Sequence, residues 1–156
     1  MTIRRALPAD LEGLKSLLHQ VCQIHADGRP DLFKSGGIKY TDQELLSILP
    51  DDNRPIFVCV DDQNAVLGYA FCILEETPET TSLHPVRTLY LDDLCVDERA
   101  RGQHIGSLLY DRVLQAARDM GCNRVTLHAW NFNQDAFGFY QKLGMTPLYT
   151  TMEQKL

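Results

Sequence analysis

Leu89–Ser107 reads LYLDDLCVDERARGQHIGS, and the rest of the chain can be ordered around it. Leu89 to Val96 is apolar on both faces apart from Asp92 and Asp93, as expected of a strand buried inside a sheet. A short charged turn follows. Arg101-Gly102-Gln103-His104-Ile105-Gly106 then leads directly into helical spacing, with Ile105, Leu108, Leu109, Val113, Ala116, Ala117 and Met120 on one stripe that stops at Gly121. A strand, a tight turn and a helix start in that order aim unpaired backbone N–H groups and the positive end of a helix dipole at one point. Such a point holds anions, and a pyrophosphate suits it. Small residues such as Gly102, Gly106 and Ser107 let phosphate oxygens approach the main chain, and Arg101 adds charge. Two other phosphate loops are excluded, since the chain has no GxxxxGKS/T run and no GxGxxG after its first strand.

Upstream, Thr2–Arg5 reads as a short strand. Pro8-Ala9-Asp10 opens a helix with Leu11, Leu14, Leu17, Leu18, Val21 and Ile24 on one face, and Gly28-Arg29-Pro30 ends it. A loop runs to Lys39. Thr41 to Glu44 has the capping-box pattern and starts a helix over Asp42–Leu49. Ile56–Val60 and Val66–Glu75 read as strands flanking a hairpin turn at Asp61–Asn64, and Thr88–Val96 is the next strand. Downstream of the 105–121 helix come a strand over Arg124–Trp130, a helix over Gln134–Leu143 and a last strand over Thr146–Lys155. The order β-α-α-β-β-β-α-β-α-β predicts an α/β fold, a mixed and mostly antiparallel central sheet with helices on both faces.

The chain has 156 residues, 44% of them hydrophobic and 23% charged, with no internal repeat or linker, so it reads as one domain over residues 1–156. Its net charge of −6 argues against nucleic acid or an anionic membrane as partner, because basic patches supply most of that affinity. No stretch approaches the roughly 20 apolar residues of a membrane span, and the first residues carry no apolar leader core. The five cysteines are scattered without a CxxC pair and read as reduced, mostly buried thiols of a cytoplasmic protein. The five histidines are dispersed too, and no metal site is indicated.

The run Val96–Gly106, VDERARGQHIG, resembles the acetyl-CoA pyrophosphate loop of the GNAT N-acetyltransferases, with Arg101, Ile105 and Gly106 in register and His104 where that family usually has a glycine. Since the contacts there are made by backbone amides, a side chain at 104 is compatible if its φ is negative. A second run, Asn133 to Met145 (NQDAFGFYQKLGM), is similar to the family's NxxAxxFYxKxGF segment. The tract YLDD at Tyr90–Asp93 resembles YLED of spermidine/spermine N-acetyltransferases. The resemblance is firm from Thr88 onward and rests on element order before it.

The resemblance implies the GNAT fold, acetyl-CoA as co-substrate and direct transfer of its acetyl group to a primary amine, on a small molecule or a peptide. It implies that Arg101, Gly102, Gln103, His104, Ile105, Gly106 and Ser107 surround the pyrophosphate, and that Leu94, Cys95 and Val96 line pantetheine like an added strand. It implies further that Asn133 caps a helix and touches the pantetheine arm, and that Tyr140 is the general acid. Family members often form dimers, so a homodimer is an open expectation. An amine nucleophile must lose a proton first. Asp92 and Asp93, adjacent carboxylates in an apolar strand, are the candidates for that base; strand alternation points them to opposite faces, and both faces are apolar. Desolvation would raise either carboxylate toward neutrality; the alternative is that both merely anchor neighbouring loops. Asp92 aligns with the Glu of the YLED tract and, being shorter, would act through a water. Cys95 reads as an inert buried thiol. His25 and Phe33 join Asp92 as candidates for the acceptor side, and Trp130 reads as core. A different class remains open, an acetyl-CoA-binding sensor without catalysis, although Tyr140 beside strand carboxylates favours an enzyme.

Overall fold

Ile56-Phe57-Val58-Cys59-Val60 is a run that only the interior of a sheet can bury on both faces, and all five residues are buried. In the computed structural model, which describes residues 1–156, this strand β2 (Ile56–Val60) lies between β1 (Thr2–Arg5) and β3 (Val66–Thr77). The sheet continues through β4 (Val86–Val96) to β5 (Arg124–Thr126), in the order β1-β2-β3-β4-β5. Every neighbouring pair is antiparallel except β4 and β5, which run parallel. The helices are α1 (Leu11–Gly28), α2 (Asp42–Ile48), α3 (Ile105–Asp119) and α4 (Gln134–Lys142).

Two apolar clusters occupy the two faces of the sheet. Ile56, Val58, Val60, Tyr69 and Phe71 pack with Leu14, Leu17 and Leu18 of α1 and with Leu45 and Ile48 of α2. Phe57, Cys59, Ala70, Cys72, Leu89 and Leu91 pack with Leu109 and Val113 of α3, and Tyr140 of α4 and Leu143 just past its end lean on that same cluster. The architecture is therefore three-layered, α1 and α2 on one side, α3 and α4 on the other, as the alternating pattern predicts. At the start of α2, Thr41 accepts from the Glu44 amide at 3.2 Å and Glu44 accepts from the Thr41 amide at 2.7 Å, which is the capping box read from the sequence.

Two irregularities shape the middle of the sheet. In β4, Asp93 pairs with Phe71 and Leu91 pairs with Cys72, which leaves Asp92 as an extra residue with no partner. Such a bulge resets the alternation of side chains. Leu89 and Leu91 face the α3 cluster, Cys95 faces the α1 cluster, and with one residue inserted Asp92 and Asp93 both turn toward α1. The expectation that they point to opposite faces is therefore corrected. The second irregularity is the brevity of β5. Asn123 holds its start against Arg87 through a 2.7 Å amide bond and a 2.8 Å side-chain bond, and Arg124 donates to Thr88 at 3.0 Å. Pairing ends at Thr126 opposite Tyr90, so β4 from Leu91 to Val96 has no strand beside it on that edge. The strand expected to reach Trp130 stops four residues earlier.

The strand expected over Thr146–Lys155 does not form. This segment is exposed throughout and has no ladder partner. Pro147 removes one donor, and a β-prone sequence is a strand only when a neighbour accepts its backbone bonds. Ion pairs hold the segment instead, Glu153 to Arg29 at 2.8 Å and Lys155 to Asp31 at 3.1 Å.

Leu109 is fully buried at the centre of the α3 cluster. Leu109→Ala should lower the free energy of unfolding by about 2–5 kcal/mol, as read from chemical denaturation; a loss under about 1 kcal/mol would mean that α3 packs less tightly on the sheet than described.

Candidate active site

The turn between β4 and α3 is built to leave its amides free. Asp97 accepts from the Arg99 amide at 2.9 Å and from the Arg99 guanidinium at 2.9 Å, which closes the turn at its β4 end. Asp97 is buried, and its carboxyl lies below the ordinary aspartate range because of these bonds. At the other end, Gly102 has φ +79° and His104 φ +59°. The negative φ expected at 104 is thus corrected: His104 takes the left-handed conformation that favours glycine, and it caps α3 with that backbone rather than with its ring. Its side chain is exposed. None of the amides from Arg101 to Ser107 donates to a protein acceptor, and Leu108 to His104 is the first bond of the helix. Seven unengaged N–H groups in a turn and at a helix start are an array of the kind that can hold an anion. Gly106 matters for another reason, because a Cβ there would come within 3.0 Å of the Phe139 ring of α4. The absence of a side chain lets α4 close against the start of α3.

This contact helps seat Tyr140 on the α3 side of the sheet. Asn133 caps α4, accepting from the Ala136 amide at 3.2 Å. Tyr140 rests against Phe139 and Tyr110, with ring centroids 5.1 and 6.2 Å away. Burial pushes its phenol well above the usual tyrosine value, and the negative charge of Asp93 adds to the shift.

On the α1 side, the bulge gathers a group of polar side chains. Asp93 accepts from the Tyr69 hydroxyl at 3.0 Å. Asp92 accepts from Lys39 Nζ at 2.9 Å and from the Tyr40 hydroxyl at 3.2 Å, and Lys39 Nζ lies 3.6 Å from Asp93. Burial raises the proton affinity of Asp93; Lys39 and the Tyr69 hydroxyl oppose that shift and do not cancel it. Burial lowers that of His25, the histidine close enough to Asp93 to feel its charge. Cys95 is a thiol pushed up to about 12 by burial and by Asp93. No group of three or more His, Cys, Asp or Glu is placed to hold a metal ion.

Farther out, His25 stacks near Phe33 at 5.1 Å and Phe33 meets Trp130 edge-on at 5.5 Å. Trp130 also stacks with Phe132 at 5.8 Å and lies under the Arg29 guanidinium. It belongs to neither apolar cluster, so the reading of Trp130 as core is corrected: it joins His25 and Phe33 in an aromatic row. Three residues of the polar group, Lys39, Tyr40 and Tyr69, have no motif. Tyr69 could have been found from β-pairing, since it sits opposite Cys95 on the face Asp93 shares; Lys39 and Tyr40 lie in a loop that no periodicity places.

Comparison with known proteins agrees with the fold. Residues 18–145 match the acetyltransferase (GNAT) family. The chain belongs to that family. A solved structure of a mutant BH1408 protein from Bacillus halodurans superposes with a TM-score of 0.95 at 30% identity, covering 100% of this chain and 99% of that one. An aminoglycoside N-acetyltransferase solved in complex with CoA has the same fold, with a TM-score of 0.73 at 17% identity over 99% and 98% of the two chains. In sequence, the thialysine N-epsilon-acetyltransferase of Bos taurus is 37% identical over 62 residues, 40% of this chain and 36% of that protein. The matched region thus spans about a third of that curated relative. The mixed five-stranded sheet with helices on both faces is the GNAT fold expected from the sequence.

His104→Gly should relieve a left-handed residue at little cost in the unfolded state. We expect thermal stability equal to the parent or higher by up to about 1 kcal/mol, whereas His104→Val should lose stability; the reverse order in a melting experiment would contradict the turn geometry.

Proposed function

We propose that this protein transfers the acetyl group of acetyl-CoA to a primary amine, on a small molecule or a peptide, by direct attack within a ternary complex. The observation that carries the reading is that β4 brings two carboxylates onto one face, loses its β5 neighbour just before them and runs on into a turn of free amides. Free amides from Arg101 to Ser107, with the Arg101 charge, fit a diphosphate. The unpaired edge of β4 at Leu94, Cys95 and Val96 fits the amide groups of the pantetheine arm, with Asn133 at its side. Two relatives support the choice: one is named for acetyl transfer to thialysine, and the other is solved with CoA.

When bound, acetyl-CoA supplies an activated carbonyl; the chain's own residues do the rest. Asp93 takes the proton of the acceptor ammonium. Its burial raises its proton affinity and suits it to the task. Asp92 orients the amine. The amine nitrogen bonds to the carbonyl carbon as the carbon–sulfur bond breaks, Tyr140 gives its phenolic proton to the leaving sulfur, and the surplus proton of the new amide nitrogen restores the phenol. Burial keeps that phenol protonated until it is needed. Cys95 stays a neutral thiol, which supports direct transfer over an acyl-cysteine route. His25 and Phe33 line the approach of the acceptor. Five unpaired cysteines fit a reducing, cytoplasmic setting.

Tyr140→Phe should bind acetyl-CoA with an undiminished thermal shift yet release CoA thiol about 10²–10⁴-fold more slowly in a screen of polyamines, amino acids, aminoglycosides and peptides. Unchanged release would remove Tyr140 from the chemistry, and binding without release by the parent protein would make the chain a sensor. A base whose proton affinity is raised on folding is protonated, and idle, at low pH. The rate should therefore climb with pH through a limb above the ordinary aspartate value of about 3.9, and Asp93→Asn should abolish that limb in a pH–kcat profile. A limb that persists in Asp93→Asn would assign the proton to another group.

A further inference from the structure

Two carboxylates side by side in a sheet interior repel one another and lose hydration, so they need a cation. The chain supplies its own. Lys39 comes from the connection between α1 and α2, and its Nζ lies 2.9 Å from Asp92 Oδ2 and 3.6 Å from Asp93 Oδ2. The side chains of Asp92 and Asp93 are only 18% and 9% exposed. Burial alone would make the Lys39 amine give up its proton more easily, but the two carboxylates outweigh it and hold the group as ammonium. A primary alkylammonium ion on a flexible aliphatic stem is thus seated between the residues that an acceptor amine must reach.

Lys39 and its neighbour are held differently. Tyr40 stacks on Phe71, with centroids 5.7 Å apart and planes 13° from parallel, and so anchors the end of the loop to the sheet. Lys39 is tied to the site by its ammonium, and its four-carbon stem can rotate away while Tyr40 stays. One ammonium can leave and another enter without moving any strand.

We propose that Lys39 is an internal surrogate of the acceptor: its ammonium occupies the acceptor subsite between Asp92 and Asp93, and a substrate binds by displacing it. This rests on the acceptor reading of the β4 carboxylates given above. Lys39 thereby determines specificity. Exchanging one alkylammonium for another gains little, so a plain monoamine competes poorly with a tethered lysine. The favoured acceptor is an alkylammonium that carries a second anchoring group, whose extra contacts outside the carboxylate pair drive the exchange.

The probe is n-butylammonium chloride, followed by chemical-shift titration of the intact protein and of Lys39→Gln, Lys39→Met, Lys39→Arg and Tyr40→Phe variants. Lys39→Gln and Lys39→Met should bind the probe at least about tenfold more tightly than the parent, because the site is no longer self-occupied. Lys39→Arg, which keeps the cation, and Tyr40→Phe, which removes a hydroxyl but no charge, should stay within about threefold of the parent. Equal affinity in all five proteins, weaker binding when the charge is removed, or no binding by any of them would overturn the proposal. A parallel thermal shift with acetyl-CoA separates the two readings. Failure of the parent to be stabilised by acetyl-CoA would refute acyl transfer, while the butylammonium series would still decide whether Lys39 fills a cation subsite.

Discussion

One inserted residue in β4 governs the arrangement of this protein. Without the bulge at Asp92, alternation would send one carboxylate toward α3 and the other toward α1. With it, both side chains reach the same face, Asp93 meets Tyr69, and the pair is close enough to share Lys39. The same strand loses its β5 neighbour just before this point, at the pairing of Tyr90 with Thr126. The carboxylate pair and the open edge of β4 are thus placed by two departures from regular sheet geometry only two residues apart.

The two sides of the site are made of different materials. The turn from Arg101 to Ser107 offers main-chain dipoles set by the Asp97–Arg99 lock and by left-handed residues at 102 and 104. Side chains could change there without altering where the N–H groups point, provided that the backbone angles are kept. The face toward α1 depends on side chains and charge: Asp92, Asp93, Lys39, Tyr40 and Tyr69 are held by one another. Its geometry is only as fixed as that network.

The sequence was most readable where periodicity and caps act locally. β1, α1, the boxed start of α2, the hairpin strands and the long stripe of α3 all follow from spacing and end signals. The turn before α3 and the tract from Asn133 to Met145 were readable as a family resemblance. What escaped was non-local. A bulge is defined by the partner strand, so no pattern within YLDD betrays it. The length of β5 is set by where β4 stops accepting its bonds, and Thr146–Lys155 has strand composition but no ladder to join. His104 shows a third kind of miss: its conformation follows from the turn around it and overrides the side chain's own preference. Lys39 and Tyr40 sit in a loop whose path is decided by what it touches.

The exposed segment at Thr146–Lys155 has a wider consequence. It ties the start of the α1–α2 connection through Glu153 on Arg29 and Lys155 on Asp31, and Arg29 in turn covers Trp130. These links are surface ion pairs, individually weak and readily rewired. The rim beside Trp130 is therefore joined by links that bear little of the folding energy, whereas the turn before α3 is continuous with the sheet. A lineage carrying this scaffold is free to vary that rim by drift in a loop and a tail, leaving the sheet and its turn untouched.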